Sequence, residues 1–387
     1  MADIPAPTPA RPAKAPRDYR LDFFRGLALV FIFIDHIPDN RLSNLTLKAY
    51  ALSDAAEVFI FISGYTAAMV YGRVMLREGR LMCAARIWRR VWQLYVAHLA
   101  IFMIYNAEVA YTMQHFNNPL FADELQVGAF LNEPADTIFH VLSLQFQPSL
   151  LNILPLYIVL MLAFPLFLVA MRHSLAYPLL ASFLLYVTVQ FTELNLPGYP
   201  ADTEWYFNPL SYQFLFVIAA TFGYAQAVRR RLLPDWKFLV PLAAAILLAG
   251  AAIQGSWTLH GLFPAVRALP GLPEWVAEKS RLAPLRILSL LAMALLVARL
   301  IPRHAAFLTS RLGWPLILCG QNSLYVFSLT ILLTVIANML MTLVGHGVIV
   351  QLALTMAGLS LMIAFSTLLA WFSAGGHFPV RPRALPG

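Results

Sequence analysis

Arg25 and His36 stand eleven positions apart in an otherwise mostly apolar stretch, Arg20-Leu-Asp-Phe-Phe-Arg25-Gly-Leu-Ala-Leu-Val-Phe-Ile-Phe-Ile-Asp35-His36. On an ideal helix that separation is about 1100°, roughly 20° from three full turns, with a rise of about 16 Å. Both side chains then point the same way, half a bilayer apart. An imidazole changes charge near neutral pH and serves as a general base when a neighbour fixes its tautomer. The next apolar stretch supplies Asp54 and Glu57, three apart and so on one helical face, at a depth predicted to match His36. Asp35, Asp54 and Glu57 are therefore candidates to orient the His36 ring. A purely architectural alternative has Asp54 or Glu57 paired with Arg25 or Arg41 to hold helices together.

Further along the same stretch, Ser63 and Gly64 fall near the depth of Arg25, where the lack of a side chain would leave room for a narrow linear group. Small residues at such a place are also ordinary helix-packing positions. Arg73 to Arg90 follows with six arginines, ending Arg86-Ile-Trp88-Arg89-Arg90. Guanidinium groups at that density suit a phosphorylated donor, and equally a positive loop on the cytoplasmic side. His98 reads as a satisfied core histidine. Cys83 and Cys319 are too few for a disulfide framework and too isolated for a metal site, so no metal is expected.

The elements that must position these groups are membrane helices. Of 387 residues 60% are apolar and only 12% charged, against about 25% charged in an ordinary soluble domain. The apolar residues come in long runs free of charged residues, such as Val240 to Ile253 and Ile317 to Leu343, as bilayer spans require. Ten helices are predicted at 20–39, 50–72, 87–107, 150–171, 174–192, 209–228, 238–254, 284–301, 315–343 and 348–373. With the N-terminus inside, 20 of the 27 Lys and Arg residues fall in cytoplasmic segments, which puts both termini in the cytoplasm. The fold class is thus an all-α polytopic membrane protein: a tail at 1–16, one transmembrane domain at 17–373 and a second tail at 374–387. The first 16 residues are rich in Pro and Ala and lack the apolar core of a secretory signal. A net charge of +8 without a basic, aromatic-interleaved stripe excludes nucleic acid as a partner.

Two segments assigned to the outer side, 108–149 and 193–208, contain no Lys or Arg but several acids. The first has room for a short interfacial helix. The second carries Tyr199, Trp205, Tyr206, Phe207 and Asn208, a set that could stack on and bind a sugar or form an aromatic belt at the membrane surface.

An Arg separated by ten residues from a His on the first span resembles the signature of the acyltransferase 3 superfamily. More narrowly, six segments resemble the OpgC family of glucan succinyltransferases. They are Arg17-Asp-Tyr-Arg-Leu-Asp-Phe-Phe-Arg25-Gly26, Asp54-Ala-Ala-Glu57-Val-Phe-Ile-Phe-Ile-Ser63-Gly64-Tyr65, Ile153-Leu-Pro155-Leu-Tyr157, Trp205-Tyr-Phe-Asn208-Pro209, Arg281-Leu-Ala-Pro284-Leu-Arg286 and Gly320-Gln-Asn322-Ser323-Leu-Tyr325-Val-Phe327. The resemblance runs from about residue 17 to 373. It implies His36 as general base, Arg25, Arg86 and Arg89 as donor-side groups, and Ser63-Gly64 as part of the donor path. In many acyltransferase 3 sequences a further His follows the Ser-x-Tyr element, whereas Tyr325 is followed here by Val-Phe327-Ser328. That leaves His36 as the main candidate.

The implied reaction moves an acyl group, succinyl by this resemblance, from cytoplasmic acyl-CoA to a hydroxyl of an exported glucan, in the inner membrane of a bacterium. The nucleotide phosphates would stay at Arg86, Arg89 and Arg90, while Asn322 or Ser323 would donate to the developing oxyanion. The extra carboxylate of a succinyl group calls for a nearby cation, and Arg41 and Lys48 lie just outside. A transporter of protons or a small solute also uses buried charge, and accounts for the ions but not for the order of the motifs. A membrane scaffold without chemistry is the third reading.

Overall fold

The computed structural model describes residues 17–116, 123, 125–232, 234–263 and 265–378. The tail expected at 1–16 and residues 379–387 of the tail expected at 374–387, with Arg11, Lys14, Arg381 and Arg383, lie outside the described residues, as does Glu124.

All regular structure among the described residues is helical. The helices are α1 (Tyr19–His36), α2 (Ala55–Glu78), α3 (Arg80–Phe116), α4 (Gly128–Asn132), α5 (Pro134–Leu142), α6 (Ile153–His173), α7 (Ala176–Thr192), α8 (Pro209–Ala227), α9 (Leu239–Leu262), α10 (Glu274–Ala277), α11 (Pro284–Leu300), α12 (Gly313–Gln321), α13 (Ser323–Val344) and α14 (Val348–Ser373). Six of them, α2, α3, α6, α9, α13 and α14, are long and apolar enough to cross a membrane. Each of the ten predicted stretches contains helix, and the remaining four are covered by α1, α7, α8 and α11.

Local chemistry explains where the helices begin. The Asp18 side chain accepts from Arg20 N at the start of α1, and the Asn208 side chain accepts from Leu210 N ahead of Pro209 at the start of α8. At α2 the Asp54 carboxylate accepts from Ala56 N, while Glu57 Oε2 accepts from Asp54 N at 2.8 Å, a reciprocal capping box.

Three predicted boundaries are corrected. The stretch 315–343 is two helices, broken at Asn322, whose amide Nδ2 donates to the carbonyls of Leu318 and Ser366 and so satisfies the interrupted backbone. The third helix runs to Phe116 instead of stopping at 107; 37 residues rise about 55 Å, far more than a bilayer core needs. The second starts at Ala55 instead of 50, because the 3-10 turns at Arg41–Leu45 and Leu47–Ala49 occupy most of the connection.

The bundle centres on α1 and α2. Helix α1 packs against α2, α12 and α13, and α2 packs against α8 and α3. Two of these crossings are backbone-to-backbone. A side chain at Gly26 would meet the Leu316 carbonyl, one at Gly320 the Asp22 carbonyl, one at Gly223 the Tyr65 carbonyl, and one at Gly64 the Phe216 oxygen, 2.6 Å from its Cβ. Association inside a bilayer depends on such close contact.

Candidate active site

His36 is the last residue of α1 and opens into a cavity of about 690 Å³. Ile32, one turn earlier, and Ala56 of α2 form part of its inner wall, and Phe327, Thr330, Ile331 and Thr334 of α13 form another side. Most of the rest is built by the two cation-free segments, with Lys279 added from the stretch before α11. Gln126, Gly128, Gln145, Gln147 and Ser149 come from the first, Asn152 from the cap of α6, and Tyr199, Thr203, Glu204, Tyr206 and Phe207 from the second. A bridge joins Phe146 to Tyr199, with Tyr199 N donating to Gln145 O at 3.1 Å, and a second bridge, Pro197 to Glu204, folds the second segment on itself, so the two segments form a single roof over His36.

The ring of His36 has a defined tautomer. Its Nδ1 lies 2.6 Å from the Ile32 carbonyl oxygen, which can only accept, so in the neutral ring Nδ1 carries the proton and Nε2 keeps its lone pair. This backbone contact takes the place of the carboxylate expected to orient the ring. Asp35 Oδ1 instead accepts from Thr46 Oγ1 at 2.6 Å and lies 3.4 Å from Lys48 Nζ. Asp54 Oδ2 is 2.7 Å from Lys279 Nζ and 3.4 Å from Arg286. Glu57, fully buried, is held at 2.6 Å by Arg286. The architectural alternative thus had the right form but the wrong partners, since neither carboxylate meets Arg25 or Arg41.

The sequence alone gives Lys279 and Arg286 no role at the site, although Arg286 ends one of the quoted motifs. The available signal was the cost of a cation at the edge of a span, which demands a carboxylate. Lys279 lies over the Phe207 ring, 5.5 Å from its centroid, and lines the cavity. Burial alone would lower the pKa of its ammonium, but the Asp54 and Glu57 carboxylates outweigh that and hold it above the ordinary lysine value. The backbone from Lys279 to Leu282 is tied down by three bonds. Tyr212 Oη donates to Lys279 O at 2.8 Å, Asn208 N to Ser280 O at 3.0 Å and Tyr186 Oη to Leu282 O at 2.8 Å.

At the other end of α1, Arg25 donates to Thr66 Oγ1 at 2.7 Å, which confirms its level with Ser63-Gly64, while its Nε is buried without a partner among the described residues. Tyr157, Asp22, Arg17 and Arg90 are the ionisable groups that act on it electrostatically. Arg90 is half-buried on α3 and donates to Gln93 Oε1 at 3.4 Å. Arg86 is exposed and paired with Glu78 at 2.5 Å, and Arg89 is exposed about 200° around α3 from the buried Ile87. Gly64 does not open a passage, because its missing side chain is filled by Phe216 of α8, and Ser63 beside it is buried.

The other expected site residues have structural partners. Asn322 is spent on the helix break, and neither it nor Ser323 lines the cavity. Asn208 is fully buried, capping α8 and donating to Leu194 O, and Trp205 is buried with its carbonyl accepting from Asn195. Tyr199 is stacked on His140 at 3.9 Å, which leaves half-exposed Tyr206 as the aromatic face open to a ligand. His98 is buried as expected, but neither ring nitrogen has a partner among the described residues.

Comparison with curated proteins gives no match, and comparison with solved structures gives none either. A family model described as OpgC protein matches residues 17–374, from the cap of α1 to the end of α14. With all six motif segments inside that match, the chain belongs to the OpgC protein family.

Proposed function

We propose that this chain is a membrane O-acyltransferase that moves a succinyl group from cytoplasmic succinyl-CoA to a hydroxyl of an exported glucan, across the inner membrane of a bacterium. Family membership implies an acyltransferase role. The observation that carries the finer reading is the His36 ring, its Nδ1 spent on Ile32 O and its Nε2 left as base at a cavity roofed by the cation-free segments.

On this reading ten helices cross the bilayer with both termini inside, and the roof is periplasmic. The acceptor hydroxyl enters from the roof side, where Tyr206 offers a stacking face. Its oxygen attacks the thioester carbonyl carbon while Nε2 of His36 takes its proton. As the C–O bond forms the C–S bond breaks, and the imidazolium returns the proton to the departing thiolate, giving the glucan ester and free CoA. Such base catalysis is worth about 100- to 10,000-fold. The donor reaches this point along the face of α1 shared by Arg25, Ile32 and His36, with its phosphates near Arg90 and Arg86. Ala28 and Leu29 are buried between Arg25 and Ile32, so the pantetheine arm must displace side chains to pass. No metal takes part in this scheme; acyl-CoA is the co-substrate.

The test uses purified protein, labelled succinyl-CoA and a glucan. His36→Ala is expected to lose transfer by about 100-fold or more, while Asp35→Asn, removing a charge held by Thr46 and Lys48, loses less than about tenfold. Equal activity of wild type and His36→Ala would refute the assignment. Acceptor-independent uptake into vesicles would favour transport.

A further inference from the structure

The cavity below the roof has one fixed positive charge. Of the described residues that line it, Lys279 is the only Lys or Arg, and the acids Asp123 and Glu204 are on the roof. Its ammonium has three N–H donors. Asp54 accepts one at 2.7 Å, and no other acceptor is found among the described residues. The side chain is 29% exposed, and its backbone is held by the Tyr212 and Asn208 bonds described above. This is a preorganised cation with donors to spare, on the same cavity as the base.

Asp54 does not consume that charge alone. It also caps Ala56 N and shares Arg286 with Glu57, so two carboxylates and two cations balance within the cluster. A further anion placed on Lys279 would offset the positive charge that His36 acquires when it takes the hydroxyl proton. Arg41 and Lys48, the cations the sequence offered for this task, are elsewhere: Arg41 is exposed and Lys48 is engaged with Asp35.

We propose that Lys279 is the specificity-determining residue for the acyl donor, receiving the free carboxylate of a dicarboxylic acyl group while the thioester carbonyl lies at His36. This rests on the transferase reading above. It names Lys279 as the group that separates a succinyl from a neutral four-carbon butyryl chain.

The test compares transfer from succinyl-CoA and butyryl-CoA to the same glucan, using the full chain in detergent. Wild type is expected to prefer succinyl-CoA by about 10- to 100-fold in kcat/KM. Lys279→Met is expected to lose that preference, and Lys279→Arg to restore most of it. A wild type with no preference between the donors overturns the inference without any variant. So does a monodisperse Lys279→Met that loses both donors equally, or one that changes only the KM for the glucan. No transfer by wild type from either donor overturns the transferase reading, and this inference with it.

Discussion

The guanidinium of Arg286 meets the carboxylate of Glu57 at 2.6 Å, with the carboxylate fully buried and the two residues 229 positions apart in the chain. This pair ties the start of α2 to the start of α11. Removing one partner of such a pair leaves an uncompensated charge and typically costs about 3–5 kcal/mol. Glu57→Gln is therefore expected to lower the thermal midpoint in detergent sharply, and Glu57→Gln with Arg286→Met to recover part of the loss. A single variant as stable as wild type would show that the pair does not hold the helices together.

The α2–α8 crossing gives a second prediction. Gly64→Val and Gly223→Val each push a side chain into a facing backbone carbonyl, and overpacking of this kind costs about 1–3 kcal/mol. The expected result is a lower folded yield and thermal midpoint. If Gly64→Val instead kept the wild-type midpoint and raised only the KM for acyl-CoA, the glycine would be serving the donor path after all.

Arg90 and Arg89 are adjacent in sequence but differ in their surroundings. Arg90→Ala is expected to raise the KM for acyl-CoA by about 10- to 100-fold, the scale of one charge-assisted contact, whereas Arg89→Ala changes it little. Steady-state titration with the donor distinguishes them. Equal effects would place the phosphates across the exposed face of α3.

A pH series follows from Lys279. Its folded pKa is raised above the ordinary 10.5, so the stability it contributes is complete below that value and is lost as pH rises through the folded value. The gap in thermal midpoint between wild type and Lys279→Met should be flat through neutral pH and narrow only in strong alkali. A gap that closes near pH 7 would mean that another group governs the cluster.

Much of the fold was legible because membrane helices announce themselves by length and apolarity. Each predicted stretch contains helix, and the R-x10-H spacing does put Arg25 and His36 on the same side of α1. What was not legible has physical causes. The break at Asn322 falls at Gly320-Gln-Asn-Ser323, a short uncharged interruption that a span also tolerates, and the packing of Gly320 on Asp22 and the reach of the Asn322 amide to Ser366 fix it as a break. The extension of α3 through Glu108 to Phe116 leaves the apolar stretch, so hydropathy could not follow it. The i, i+3 spacing of Asp54-Ala-Ala-Glu57 suits a face of acids, yet the same spacing is a capping box, and Glu57 spends one oxygen on the backbone and the other on Arg286. Partners more than 200 positions away leave no local pattern to find.

The glycine crossings bear on how a donor is admitted. Near the depth of Arg25, α1 is clamped to α12 through Gly26 and Gly320, and α2 to α8 through Gly64 and Gly223. Neither pair can slide without driving an atom into a carbonyl. On the proposed reading, passage of a pantetheine arm past the buried Leu29 and Ile32 comes from rearrangement of those side chains and not from helix separation on the microsecond to millisecond scale. Donor access is in that case a local adjustment within a rigid frame, and its rate should be tuned by the bulk at positions 28, 29 and 32 without any change in the shape of the bundle.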